Sequence, residues 1–219
     1  MKTECTLCGT CCEKGGPALH VEDLALIEKS ILTIADLVTI RQGEIVLQPE
    51  TGKPELTDFE LIKIKGSGGD WCCRFLHPEE KTCTIYENRP FTCRLLKCWD
   101  PEDVLAATGK KILSRYDLID KQDPLLQLAE FYDQQFTLPD LIETKVDLRS
   151  ESRRQATLAR LQEMIEKDLM FRSLAIERFE LPVAQEVFYF GRPLFQLLAP
   201  LGIAIRETSA GIELQYTDE

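Results

Sequence analysis

Nine cysteines dominate the chemistry this chain can do, and they fall in two short stretches. The first is Cys5-x2-Cys8-x2-Cys11-Cys12. The second holds Cys72, Cys73, Cys83, Cys93 and Cys98, and the last 121 residues contain none. A two-residue gap lets a tight loop turn successive thiolates toward one centre. Thiolate is a soft donor that suits zinc and iron–sulfur clusters. The opening Cys-x2-Cys-x2-Cys resembles the start of a bacterial ferredoxin run. It then departs, with Cys12 directly adjacent to Cys11 and Gly15-Gly16-Pro17 behind. On an extended backbone neighbouring side chains point to opposite sides. Cys11 and Cys12 are therefore expected to face two centres, or different edges of one larger cluster, rather than one tetrahedral ion. The third cysteine at the same spacing and the adjacent pair favour an iron–sulfur cluster over mononuclear zinc, which usually takes two separated Cys-x2-Cys pairs.

The residues around these thiols offer further chemistry. His77 could replace a thiolate, although a turn position before Pro78 is the expected role, and His20 reads as structural. Arg89 and Arg94 flank Cys93. They could donate hydrogen bonds to an anionic cluster and tune it, or Arg89 could pair with Glu87 or a backbone carbonyl. Trp71, Phe75, Phe91 and Trp99 are expected to wall the metal off from water. Tyr86 is expected to pack. The Gly66-Ser67-Gly68-Gly69 stretch reads as a flexible lead-in, since no G-x-G-x-x-G follows a strand.

The order Cys-x2-Cys-x2-Cys-Cys, then Cys73-x-Phe75-Leu76, then Cys83-Thr84-Ile85-Tyr86-Glu87-Asn88-Arg89-Pro90-Phe91-Thr92-Cys93-Arg94, resembles the CxxCxxCC cysteine-cluster family. That family is also called YkgJ-like, a zinc- or iron-chelating domain. The resemblance spans about residues 4–98. Its eight-cysteine pattern implies metal ligation by Cys5, Cys8, Cys11, Cys12, Cys73, Cys83, Cys93 and Cys98, and leaves Cys72 outside. It implies metal binding without fixing a reaction. Some relatives are described as flagellin lysine N-methylases, so a cluster-dependent protein lysine N-methylase is one alternative, and a structural zinc module is another. The residues themselves show neither activity. The leading expectation is a metal protein, with an iron–sulfur cluster or zinc, in electron transfer or in redox or metal sensing through a protein partner.

Composition bounds the rest. Hydrophobic residues make up 44% of the 219, enough for a real core, so the cysteines are not there to rescue a poor one. The start Met1-Lys2-Thr3-Glu4-Cys5 has no apolar stretch behind a basic end, so no secretory signal is expected. The longest apolar run, Pro193 to Ile205, is broken by Gln196, Pro200 and Gly202 and is too short for a membrane span. A cytoplasmic setting follows, where dense cysteine favours metal over disulfides. Net charge is −11. Residues 1–100 carry 12 Lys and Arg against 16 Asp and Glu, and residues 101–219 carry 14 against 21. No basic stripe invites a phosphate backbone, so nucleic acid is not an expected partner.

The elements that must position these residues read as an α+β fold. An irregular cysteine-rich metal-binding lobe, 1–100, precedes a mostly helical lobe, 101–219, that ends in a β-hairpin. Val21 to Gln42 reads as two short helices divided near Leu32-Thr33, from apolar positions at roughly helical spacing. Glu44 to Gln48 and Phe59 to Ile64 read as strands, with turn residues Thr51-Gly52-Lys53-Pro54 between them. Asp100-Pro101 and Asp123-Pro124 each offer an N-cap followed by a proline at the first helical position. A longer helix is predicted from about Glu151 to Arg172, with Leu158, Leu161, Ile165 and Leu169 on one face. Ile203 to Tyr216 alternates around Ser209-Ala210-Gly211 and reads as a hairpin. The aromatic run Phe188 to Phe195 is expected in the core rather than at a partner surface.

Overall fold

The structure, a computed structural model, describes residues 4–49, 51–67, 71–208 and 211–217. Gly68 and Gly69 of the expected lead-in, Ser209 and Ala210 of the hairpin turn, and the first three residues lie outside the described residues. The fold is α+β, with small antiparallel sheets and a C-terminal hairpin. Contacts divide the chain into two compact units. The first comprises residues 1–40, 47–53 and 60–119, and the second residues 41–46, 54–59 and 120–219.

In the first unit, helix α1 (Thr10–Glu13) carries Cys11 and Cys12, and α2 (Leu24–Glu28) follows a single 3-10 turn at Val21–Asp23. The second helix expected before Gln42 is instead a 3-10 turn, Ile34–Asp36, leading into strand β1 (Leu37–Ile40). Asp36 caps the start of that turn by accepting from the backbone N–H and hydroxyl of Thr33, at 2.7 and 2.8 Å, and the chain becomes extended at Leu37. The β-branched run that follows is buried at every position, so it shows no period-2 alternation to separate it from a helix. Strand β2 (Ile45–Leu47) pairs with β3 (Pro54–Leu56), which sequence reasoning missed; Ile45, Val46 and all of β3 belong to the second unit. Strand β4 (Leu61–Ile64) pairs antiparallel with β1 in the register Leu37↔Ile64 to Ile40↔Leu61. Thus the turn at 51–54 closes a β2–β3 hairpin and does not join the two expected strands to each other. Helix α3 (Phe91–Leu95) carries Cys93. Helix α4 (Glu102–Ala107) starts one residue later than expected, with Pro101 at the cap and Asp100 3.5 Å from the Glu102 N–H. Leu19, Leu37, Ile62, Ile64 and Leu113 are almost wholly buried and form the apolar floor of this unit.

The second unit is helical. Asp123 caps α5 (Pro124–Gln135) through the Leu125 N–H, with Pro124 at the first position, as expected. Asp140 caps α6 (Leu141–Arg149) by accepting from Ile142 and Glu143 at 2.9 and 2.8 Å. Helix α7 (Glu151–Phe179) runs 29 residues, seven beyond the predicted end. It contains no Gly or Pro, and it stops where Glu180 turns left-handed ahead of Leu181-Pro182. Leu161 and Ile165 of α7 are fully buried against Leu141, Leu148 and residues of α9 (Leu194–Leu198), with Leu158 and Leu169 packed at the margin. Helix α8 (Val183–Tyr189) brings Phe188, Tyr189 and Phe190 into the interior, as expected for that aromatic run. Strands β5 (Ile203–Thr208) and β6 (Gly211–Tyr216) make the C-terminal hairpin, with Ile203 and Leu214 in the core. Among the described residues no helix is long and apolar enough to cross a membrane.

Candidate metal centre

Local backbone geometry brings the two cysteine segments together. Gly9 is the N-cap of α1 at φ +72°, and a Cβ there would stand 2.4 Å from the carbonyl oxygen of Lys81. Only glycine lets α1 dock so closely on the 77–82 loop, whose far end is Cys83. That loop is closed by the bridge Leu76↔Cys83 and by the His77 N–H to the Thr82 carbonyl at 2.8 Å. The Cys73 N–H donates to the Cys12 carbonyl at 2.8 Å, fastening the second segment to the first. The position of Cys93 is set by Asp23, which is fully buried. Its carboxylate accepts from the His20 N–H at 2.9 Å and from the Phe91 N–H, in the first turn of α3, at 2.7 Å.

The expectation that Cys11 and Cys12 face opposite sides does not hold. They lie in a helical turn, where successive side chains rotate by about 100° rather than 180°, and their Sγ atoms are 3.9 Å apart. The Cys12 thiol also hydrogen-bonds Cys83. The interactions of Cys73 reach Cys83 and Cys11, and those of Cys93 reach Cys73, Cys11 and Cys83. Cys11, Cys12 and Cys83 are thus linked, Cys73 and Cys93 lie within electrostatic reach of them, and these five of the eight family-pattern cysteines make up an inner group. The other three are exposed, as Cys11 is too. Cys5 hydrogen-bonds Tyr86, Cys8 lies 3.4 Å from the Thr10 hydroxyl, and Cys98 lies in the turn closed by Lys97 and Asp100. The Cys72 thiol points elsewhere and donates to the Glu13 carbonyl at 3.5 Å. All nine cysteines are free thiols.

The inner group is electrostatically graded. Cys11 and Cys83 both fall to about 6, chiefly because each hydrogen-bonds Cys12 and with further help from the charge of Arg89. Cys12 is pushed up by the same hydrogen bonds, first with Cys11 and then with Cys83. Burial raises Cys73, and it raises Cys93 to about 12, with the neighbouring thiols adding to both. The Arg89 guanidinium stacks on Tyr86 at 3.6 Å, and Arg94 donates to the Arg89 carbonyl at 2.7 Å. Arg89 thus acts beside the thiols rather than pairing with Glu87. His77 Nδ1 accepts from the Glu80 N–H at 3.2 Å, a turn role. The expected aromatic wall is only partly present. Phe91 is half-buried against His20, at 5.3 Å between ring centroids, but Trp71 and Trp99 stand in irregular surface segments and are exposed.

A soft metal fits this donor set in kind. Sulfur donors are gathered from four stretches of one unit, two of them readily ionised, with a guanidinium alongside. Arg89 Nε and Thr92 Oγ1 are buried beside them with no hydrogen-bond partner among the described residues. An anionic sulfur centre would supply the acceptor that the Arg89 N–H lacks. As the side chains stand, no group of three or more His, Cys, Asp or Glu among the described residues is arranged to hold a metal ion. Enclosing one therefore takes side-chain rotation. Sequence reasoning missed Asp23 and Gly9 as supports. An acid in a first helical turn and a glycine ahead of Thr10 were the available signals, and both are common enough to carry little information.

Such an assembly of thiols, fastened by backbone pairing and balanced by one buried-edge arginine, defines a cysteine-rich chelating module. Residues 4–111 match the model of the CxxCxxCC family, described as "Putative zinc- or iron-chelating domain", and the chain belongs to that family. Comparison with curated proteins and with solved structures returned no match.

Proposed function

We propose that the inner thiols Cys11, Cys12, Cys73, Cys83 and Cys93, together with Cys5, Cys8 and Cys98, hold one or two iron–sulfur clusters of four thiolates each. The protein would work in the cytoplasm by electron transfer, or by sensing redox state or metal through a protein partner. One observation carries the choice of cluster over zinc. The run Cys5-x2-Cys8-x2-Cys11-Cys12 has a third cysteine at the same spacing and an adjacent pair, whereas a zinc site usually takes two separated Cys-x2-Cys pairs. Either kind of site takes four thiolates, so eight would suffice for two. A chain this rich in free thiols suits a reducing compartment. Bound iron and sulfide would supply a reversible one-electron couple. The residues themselves hold the donors in place, set a counter-charge at Arg89 and keep Cys73 away from water.

The test is anaerobic purification followed by iron, zinc and acid-labile sulfide per chain, with visible and paramagnetic spectra. Iron with sulfide is expected. Colourless protein with stoichiometric zinc and no sulfide would sink the cluster reading. Cys83→Ser should lose most of the metal, whereas Cys72→Ser should keep it. Equal loss in both would mean that the inner set is wrongly drawn.

A further inference from the structure

The second unit contains a cavity of about 100 Å³ lined wholly by its own residues. Two kinds of surface meet there. Phe136, Leu138, Met164 and Leu194 give an apolar wall, and Arg41, Lys167 and Asp168 bring charge. Asp168 has nothing left for a ligand. One oxygen accepts from Tyr132 at 2.6 Å and Arg172 at 2.7 Å, and the other from the Leu194 N–H at 2.9 Å. Its charge is answered by Arg172. Lys167 pairs with Glu163 at 2.7 Å, but both side chains are more than half exposed, and such a pair is weak.

Arg41 is different, being only 6% exposed. Its stem lies over Gly191, where φ is +69° and an added Cβ would come within 3.0 Å of the arginine Cγ. Its Nη1 donates to the Phe136 carbonyl at 3.0 Å. Its Nε has no hydrogen-bond partner among the described residues. The facing carboxylate, Glu44, stands 3.8 Å away and is already engaged by Arg192 and by the Arg41 backbone N–H. A buried N–H without an acceptor is destabilising. Here it belongs to a cation at the wall of a cavity whose one acid is fully spent.

We propose that this cavity binds a small organic carboxylate. Arg41 and Lys167 would take the carboxylate, and a short hydrocarbon body would lie against Phe136, Leu138, Met164 and Leu194. Size limits the ligand. A cavity of about 150 Å³ accepts benzene, with its six carbons, so one of about 100 Å³ holds roughly four non-hydrogen atoms, the size of acetate.

The experiment titrates the full-length protein, with its metal as purified, with acetate and separately with acetamide at constant ionic strength, read by calorimetry. Saturable acetate binding is expected, at least tenfold tighter than acetamide. Arg41→Met should lose at least tenfold in affinity. Because Arg41 is buried, two further variants guard against misfolding. Lys167→Gln, on an open helix face, should weaken binding about threefold, and Met164→Trp, which fills the cavity, should abolish it. Equal binding of acid and amide, no saturable acetate binding, or full binding by Met164→Trp overturns the proposal.

Discussion

Asp168 and Arg172 sit one helical turn apart on α7, both nearly inaccessible to water. The guanidinium also hydrogen-bonds Glu186, the Tyr132 hydroxyl and the carbonyls of Phe190 and Gly191, so it ties α5, α7 and the segment after α8 together. Removing one partner of a buried pair leaves an uncompensated charge. Asp168→Ala should therefore cost about 3–5 kcal/mol, measured by urea unfolding. Tyr132 gives a pH signature. Burial raises its hydroxyl to about 12, against an ordinary value of 10.0. A raised folded value means that its contribution is complete below about pH 10 and is lost as pH rises through 12. Two pH units correspond to roughly 2–3 kcal/mol. Stability should fall across that window, and Tyr132→Phe should flatten the fall, followed by tyrosinate absorbance against unfolding midpoint. At this scale the thiols were legible in sequence because their type and spacing are rare in combination. Arg172, Asp168 and Asp23 were not, because a charged residue in a helix reads as surface until its burial is known.

At the scale of elements, α1 is four residues long and has no buried side chain of its own. It persists because Gly9 lets it dock on Lys81 and because Cys73 bonds its Cys12 carbonyl. Gly9→Ala should thus disturb the centre well beyond the usual glycine effect. The left-handed backbone alone costs about 1–2 kcal/mol, and the clash with a backbone oxygen adds to it. Reduced metal content and a lower melting midpoint of the first unit are the expected outcomes, read by metal analysis and thermal unfolding. Normal loading of Gly9→Ala would show that the close approach is dispensable. Helices α5 and α7 were legible from a capping Asp-Pro and a long amphipathic period. Strand β1 was not, since four consecutive buried positions carry no period. The α1 turn was not legible either, since four residues are too few for periodicity to register.

The chain crosses between its two units five times, and this bears on how it can be cut. Arg41 and Glu44, which meet Phe136 and Arg192, come from a segment far upstream of the helices they support. A fragment of residues 120–219 lacks both, together with Ile45 and Leu56 at the core margin. It should unfold with little cooperativity, whereas the intact chain should protect the amides of α7 in hydrogen exchange. Equal protection in the fragment would contradict this. The sequence by itself determined the metal-binding class, the confinement of thiols to residues 5–98, the α+β mixture and the C-terminal hairpin. Each of these rests on residue type or on periods within one segment. Only the tertiary structure decided which five thiols come within electrostatic reach of one another, that Arg89 acts on them, and that the 41–46 and 54–59 segments belong to the helical unit. Those outcomes depend on contacts between residues tens of positions apart, which burial and backbone pairing select and which no local pattern encodes.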